Sequence, residues 1–184
     1  LLEDKRIHIG GVYENCLKEV KVTDRYGEVT FVLMPFVRPA TVEAKTSGEA
    51  AERILSQRVK GKEREILVSH CFVTDGGREP ELSDGETTVH VGGLDNVEAS
   101  LLGGFDYVAL GHIHKAQKIG RGNIYYAGAP LAYSFSEAGQ EKSVNLVELG
   151  EEGETTVRRI PLKPLHEMRR IRGSLEELMR PEIV

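Results

Sequence analysis

The chain has 184 residues, of which 40% are hydrophobic, and its 24 basic and 29 acidic residues give a net charge of −5. This length and composition can fill one domain-sized core and exclude a chain that is disordered throughout. Because no apolar run approaches the roughly 18 residues of a membrane span and no signal-peptide pattern opens the chain, we expect a cytoplasmic protein without membrane contact. The negative charge excludes nucleic-acid binding through overall charge, so any such contact must be local.

The first third of the chain predicts alternating strands and helices. Residues 6–9 form a short strand candidate that contains His8, which we interpret as structural. Residues 17–23 and 28–34 flank a turn and predict a β-hairpin, since both are rich in β-branched residues. Ser47 is a plausible N-cap for a helix that runs to about Lys60, where Gly61 stops it. A strand at 65–69 follows, as in an α/β layer.

A long loop rich in turn-forming residues follows, from Thr74 to Gly85. Long ordered loops beside a site are commonly functional, but a mobile surface excursion is an equal alternative. Asp75, Asp84 and Glu86 are predicted to be solvated rather than metal-binding. Asp95 is a candidate N-cap for a short helix at 96–102.

Beyond a strand at 107–110, the remaining pattern is one of hairpins. Residues 116–119 and 124–127 flank a Gly-containing turn, and 143–149 and 155–160 flank another. Hairpins after an α/β part favour a second sheet that packs face to face on the first. From Pro161 the chain predicts an extended connector, and Ser174 caps a last helix.

Three histidines stand at predicted strand ends. His70 closes the strand at 65–69, and His112 and His114 follow Gly111 directly after the strand at 107–110. In extended backbone, alternate side chains share a face, so His112 and His114 could address two neighbouring metal ions. A single histidine there is more often structural, but the joint pattern favours a metal site at one sheet edge. Cysteines Cys16 and Cys71 lack the spacing of a disulfide framework or zinc site, and Cys71 is interpreted as a buried strand residue.

Four blocks resemble a known family. Residues 66–70, 91–95, 105–114 and 128–137 are similar to SbcD, the nuclease subunit of bacterial SbcCD complexes and a calcineurin-like metallophosphoesterase. The resemblance implies an α/β/β/α sandwich and a two-metal, usually manganese-dependent, hydrolase of DNA double-strand ends and hairpins in repair and recombination. It also implies the ATPase SbcC as partner, and a homodimer in the intact complex.

The family's metal motifs are present only in part. Enzymes of this kind carry D-x-H, G-D-x-x-D, G-N-H, a single histidine after a strand, and G-H-x-H, and only the last two occur here. The resemblance implies that His70 and His112 bind one metal and His114 the other, with manganese preferred and zinc or iron possible. The chain is therefore predicted to be the later part of a nuclease region, to be inactive alone, and to contain no catalytic residue.

Two segments are candidates for DNA or partner contact. The first is the loop with Tyr133, Ser134 and Ser136, for which packing and turn capping are the alternative. The second is a basic segment that alternatively is only a solvated face. Its members are Arg158, Arg159, Lys163, Arg169, Arg170 and Arg172. We expect residues 1–160 to belong to the nuclease domain and 161–184 to be a connector and the start of a truncated domain.

Two other functions stay open. The histidine motifs are shared across the metallophosphoesterases, so a phosphomonoesterase or a cyclic-nucleotide phosphodiesterase is one alternative. The absent motifs favour the other, a non-catalytic module that binds a partner.

Overall fold

The computed structural model describes residues 6–59, 61, 63–84, 86 and 95–180. Its strands are β1 (Lys18–Asp24), β2 (Gly27–Met34), β3 (Arg64–Ser69), β4 (Phe72–Thr74), β5 (Asn96–Glu98), β6 (Tyr107–Leu110), β7 (Gln117–Ile119), β8 (Ile124–Tyr126), β9 (Ser143–Leu149) and β10 (Thr155–Pro161). The α-helices are α1 (Ser47–Ser56) and α2 (Leu175–Leu178), and 3₁₀ turns cover Pro39–Val42, Ala99–Leu102 and Phe135–Glu137.

The central sheet has six strands in the order β1-β2-β3-β6-β8-β7. Hairpins β1/β2 and β7/β8 form its two edges, and β2, β3, β6 and β8 run parallel between them. The C-terminal ends of the four parallel strands therefore lie together along one side of the sheet. Open α/β folds place their chemistry at these strand ends. Two smaller sheets, β4/β5 and β9/β10, complete the strand pairing.

Apolar side chains cover both faces of this sheet, as parallel strands require. On one face, Val32, Leu67 and Val108 are at most 1% exposed and belong to the core that also includes Ala51 of α1. On the other face, Ile66 and Tyr107 pack with residues of β9 and β10. The helix α1, the central sheet and the β9/β10 sheet are thus stacked layers, which confirms the predicted α/β class as part of an α/β/β/α sandwich.

The predicted hairpins and the two strands that precede the histidines are confirmed, with ends shifted by at most one residue. The turn between β1 and β2 has a local cause. The Asp24 carboxylate accepts a hydrogen bond from the Tyr26 N–H at 2.8 Å, and Gly27 adopts φ of 111°, which a side chain would disfavour. At the other end of the chain, Ser174 and Glu177 form the predicted capping box of α2.

Three predicted elements differ from the structure. Residues 6–9 form no strand, and Arg6 adopts a left-handed φ of 57°, which is incompatible with extended pairing. Helix α1 is capped by Thr46, whose Oγ1 accepts from the Glu49 N–H at 3.1 Å, and it ends at Ser56. Lys60, the predicted end, lies outside the described residues.

The helix predicted at 96–102 is the third difference. Residues Asn96–Glu98 instead pair with β4, which buries Val97 to 2% exposure, and only Ala99–Leu102 turns as a 3₁₀ helix. Asp95 is not its N-cap, and its Oδ1 lies 3.4 Å from the Ser47 hydroxyl, which donates to it. Strand pairing and burial of Val97 outweigh the local helix signal. Among the described residues, no helix has the length and apolar character needed to cross a membrane.

Candidate metal and nucleic-acid site

The strands β3 and β6 bring two of the three predicted histidines together. Ser69 and Leu110 are register partners at the ends of these strands, and the Gly111 N–H donates to the Ser69 carbonyl at 2.9 Å. The residues that follow therefore leave the sheet side by side. The His70 and His112 rings lie edge to face, with centroids 5.2 Å apart and planes at 67°.

Gly111 leaves room for the His70 ring beside it. A Cβ atom at this position would lie 2.8 Å from the His70 Nδ1 atom, well inside contact distance. His112 itself adopts φ of 94°. The expectation that His112 and His114 alternate along extended backbone is therefore wrong, because the strand ends at Leu110 and the chain turns at His112.

The His70 side of the site is open to solvent. His70 is exposed and lines a groove of about 430 Å³ over the ends of β2, β3 and β6, together with Met34, Ser69 and Gly111. His8 lies in the same groove, exposed rather than inside a strand. This groove is a place where a ligand could reach the histidine.

Cys71 directly follows His70 and lies between β3 and β4, so the prediction of a buried strand residue is wrong about the strand. It is partly buried against the main core. Burial raises the pKa of its thiol to about 11, although the Ser69 hydroxyl 3.6 Å from Sγ opposes the shift. A thiol with this pKa stays protonated at neutral pH and is a poor nucleophile.

His114 lies in a different setting, beside a buried carboxylate. Its Nδ1 is 3.1 Å from Glu137 Oε1, and its side chain is 34% exposed while that of Glu137 is 0% exposed. Glu137 also accepts hydrogen bonds from the Ser134 hydroxyl at 3.0 Å and from the Lys142 ammonium at 2.6 Å. Burial raises the pKa of the Glu137 carboxyl, but the hydrogen bonds from Lys142, His114 and Ser134 outweigh it and hold this pKa at about 2.

The backbone of His114 is held as well. Its N–H donates to Glu86 Oε1 at 2.6 Å, and its carbonyl accepts from the Ala129 N–H at 3.0 Å and the Lys142 ammonium at 3.3 Å. Glu86 comes from the long loop after β4, is 7% exposed, and accepts a second bond from the Ser83 N–H at 2.6 Å. The prediction that Glu86 is solvated is therefore wrong.

The loop predicted to contact DNA or a partner lies against His114. The Tyr133 ring is 5.6 Å from the His114 ring, between centroids, and Tyr133 is 63% exposed. Ser134 and Ser136 are hydrogen-bonded to each other at 2.7 Å, and the Ser136 hydroxyl accepts from the Asp84 N–H at 2.9 Å. The hydroxyls thus bond within the protein, whereas Tyr133 is available to an external partner.

The curated relatives that match this chain include two SbcD subunits. The chain is 28% identical to the SbcD subunit of the nuclease SbcCD from Staphylococcus epidermidis, over 98% of this chain and 49% of that protein. It is 31% identical to the SbcD protein of Staphylococcus saprophyticus, over 85% of this chain and 43% of that protein. The chain is therefore similar to SbcD proteins over most of its own length. It spans about half the length of the curated relatives it matches, and no family model matches it.

The donor atoms of this SbcD-like chain fit a divalent metal in type but not in number. Imidazole suits manganese, zinc and iron, and His114 with its ring nitrogen on a carboxylate has the environment typical of a metal-ligating histidine. Within the described parts of the chain, however, no group of three or more His, Cys, Asp or Glu side chains could hold a metal ion. His70 and His112 converge, but the carboxylates near His114 are engaged in holding it.

The basic segment of the SbcD-like chain is exposed throughout. Arg158 and Arg159 lie on β10, and the other members follow it on the way to α2: Lys163, Arg169, Arg170 and Arg172. Arg158 is the register partner of Leu146, and Arg159 is that of Asn145, so the two side chains lie on opposite faces of the β9/β10 hairpin. The segment therefore presents positive charge on more than one surface.

Proposed function

We propose that this chain supplies the three-histidine part of a two-metal centre in an SbcD-like DNA nuclease. The observation that carries the proposal is the convergence of His70 and His112, with ring centroids 5.2 Å apart, at the shared edge of two parallel strands. Two divalent metals in such a centre clamp the scissile phosphate and activate a water. In this proposal His70 and His112 hold one ion and His114 the other, with manganese preferred and zinc or iron possible.

The remaining ligands are not in this chain. The motifs D-x-H, G-D-x-x-D and G-N-H, which the family uses to anchor both ions, are absent from its sequence. Two-metal hydrolysis needs both ions fixed in place, so three imidazoles alone are insufficient. The purified chain should therefore bind Mn²⁺ weakly and leave DNA intact.

A nuclease assay tests this proposal directly. Linear duplex and hairpin DNA are incubated with the 184-residue chain and Mn²⁺, beside an SbcD protein that contains all five motifs as the positive control. The control should degrade both substrates and the chain neither. Degradation by the chain would contradict the proposal that the missing motifs are needed for cleavage.

The two alternative functions predict other outcomes for the control protein with all five motifs. If the family of this chain were phosphomonoesterases or cyclic-nucleotide phosphodiesterases, that protein would hydrolyse small nitrophenyl phosphate esters and would not cleave DNA ends. If the chain were only a partner-binding module, replacing these histidines by alanine in the longer protein would leave DNA cleavage unchanged.

The proposal includes the partners expected for the family. DNA double-strand ends and hairpins are the substrates, the ATPase SbcC is the partner, and the intact complex contains a homodimer acting in repair and recombination in the cytoplasm. Both relatives are named as subunits of SbcCD, which supports the SbcC partnership. We place the boundary between nuclease domain and connector near residue 160, where β10 ends.

The basic segment is proposed to contact SbcC or DNA, with Tyr133, Ser134 and Ser136 beside the DNA path. We favour SbcC for the segment, because its second half follows the last strand of the β9/β10 sheet and leads away from the core. Its exposure supports either role.

Charge reversal separates the two roles. In a longer SbcD-like protein with all five motifs, the variant changes Arg169, Arg170 and Arg172 to Glu, and Arg121→Glu in the exposed β7/β8 turn is the control. If the segment binds phosphates, the slope of log DNA affinity against log salt should fall by roughly 0.9 for each phosphate that is no longer bound. If it binds SbcC, the slope should stay unchanged while complex formation fails. If neither the salt slope nor complex formation changes, the segment is only an exposed, solvated surface.

A further inference from the structure

Two hydrogen-bond donors and the His114 ring converge on the buried carboxylate of Glu137. Glu137 Oε1 receives the Ser134 hydroxyl at 3.0 Å and faces His114 Nδ1 at 3.1 Å, while Oε2 receives the Lys142 ammonium at 2.6 Å. Glu137 is 1% exposed and Lys142 7% exposed, so water does not compete for these bonds. An ionised carboxylate is only an acceptor, so the atom opposite it on the ring must carry the proton.

We propose that Glu137 is a positioning residue that fixes the tautomer of His114. By accepting the Nδ1–H bond, Glu137 keeps the neutral ring protonated at Nδ1 and leaves the lone pair on Nε2. The tautomer follows from the contacts of this chain alone. Its consequence for metal binding rests on the proposed function.

Glu86 completes the arrangement from a second loop. It fixes the His114 backbone through the 2.6 Å bond from the N–H, while Glu137 fixes the ring. The carbonyl is held by the Ala129 N–H and by Lys142, which thus contacts both His114 and Glu137. Position, orientation and proton placement of the ring are therefore determined before any ligand binds.

This arrangement has a chemical purpose at a metal site. A neutral histidine binds a cation through its unprotonated nitrogen, and a carboxylate on the other nitrogen fixes that choice and increases the basicity of the ligand atom. Preorganisation by a buried partner also reduces the ordering that ligand binding would otherwise require. Loss of such a partner typically reduces metal affinity by about 10- to 100-fold.

The tautomer can be measured directly in the chain. Long-range ¹H–¹⁵N correlation spectra of the imidazoles distinguish a ring protonated at Nδ1 from one protonated at Nε2. The measurement is made at about pH 8.5, some two units above the ordinary histidine pKa of about 6.5. His114→Asn assigns the signals among the six histidines. We expect the Nδ1–H form, whereas histidine in water favours Nε2–H, and an Nε2–H ring in the unaltered chain overturns the proposal.

The variant Glu137→Gln makes a sharper prediction. The amide has one acceptor and one donor end, and the charged Lys142 should capture the oxygen. The –NH₂ group then faces His114 Nδ1, which must become an acceptor, so the proton should move to Nε2. The same substitution at the exposed Glu141 is the matched control and should leave the spectrum unchanged. A folded Glu137→Gln chain that keeps the Nδ1–H form contradicts the proposal.

A second variant tests whether Lys142 determines the tautomer. Lys142→Met removes the ammonium but keeps the carboxylate opposite the ring, so the Nδ1–H form should persist. Conversion of His114 to Nε2–H in this variant would show that Lys142, not Glu137, determines the tautomer.

Adding Mn²⁺ separates this inference from the proposed function. Paramagnetic broadening of the His114 signals should require about 10- to 100-fold more Mn²⁺ in Glu137→Gln than in the Glu141→Gln control. The Nδ1–H form without any Mn²⁺ broadening would support the positioning role and contradict metal binding. Broadening of an Nε2–H ring would contradict the positioning role alone.

Discussion

The two sides of the candidate site are built in opposite ways. On one side, His114 is held at its ring and at both backbone polar groups by Glu137, Glu86 and Lys142. On the other, His70 is exposed and packs edge to face with His112 beside a glycine. The two histidines of the G-H-x-H motif therefore lie in different environments, His112 beside the exposed His70 and His114 beside the buried Glu137. His114 is preorganised by buried charge, whereas His70 and His112 are preorganised by steric fit.

The two sides differ in how much stability the fold loses when a partner residue is removed. A buried ion pair such as Glu137–Lys142 is favourable only while both partners are present, because a buried charge without a partner is strongly destabilising. An exposed ring that loses a neighbour is solvated by water instead. The His114 side should therefore be coupled to the stability of the fold, and the His70 side should not.

The largest effect is expected for Glu137→Ala. This change leaves the ammonium of Lys142, whose side chain is 6% exposed, without its carboxylate. Removal of one partner of a buried pair costs about 3–5 kcal/mol. The free energy of unfolding, measured in urea, should fall by this amount, and Glu141→Ala is the control. A decrease in the free energy of unfolding below about 1 kcal/mol would mean that this pair contributes no more than an ordinary surface ion pair. The two sides of the site would then not differ in their coupling to the fold.

Alanine at two glycines compares the sides directly. At Gly128, φ is 82° and a Cβ atom would lie 2.8 Å from the Ala116 nitrogen and 2.9 Å from the His114 carbonyl oxygen, so backbone must move. Left-handed φ alone costs about 1–2 kcal/mol, and displacement of the Ala129–His114 bond adds to it.

At Gly111 the obstructing atom belongs to the His70 ring, which can rotate at a cost of about 0.5–1.5 kcal/mol. Urea unfolding should therefore rank Gly128→Ala as more destabilising than Gly111→Ala, with Gly103→Ala as the control. Only Gly111→Ala should shift the His70 and His112 ring resonances. The reverse ranking would show that the His70 side is the more rigid one.

The sequence predicts the His70 side better than the His114 side, for a physical reason. Strands β3 and β6 are short apolar runs, and their parallel pairing places His70 and His112 at one edge. Glu86 and Glu137 contact His114 across 28 and 23 positions of the chain, and such contacts leave no local pattern. Glu137 is the last residue of the family block at 128–137, where the sequence predicts the end of a loop. No feature of the neighbouring sequence indicates that it is buried.

The same limit explains the wrong helix at 96–102. Its sequence has a helical signal, yet Asn96–Glu98 pairs with β4, a partner more than twenty positions earlier. Where a residue's environment is decided by nearby residues, as in the hairpins, prediction is successful. Where it depends on distant segments, as at Glu86 and Val97, it is not.

The smallest effect on stability is expected for His70→Ala, which tests the open side of the comparison. His70 is exposed, and its ring lies on the groove rather than in the core, so the free energy of unfolding should change by no more than about 0.5 kcal/mol. In a longer SbcD-like protein with all five motifs, the same change should abolish Mn²⁺-dependent DNA cleavage, because it removes a proposed ligand. His8→Ala in the same groove is the matched control and should preserve both quantities. A large loss of stability would show that His70 is a structural residue, and that steric fit at this edge supports the fold rather than a metal.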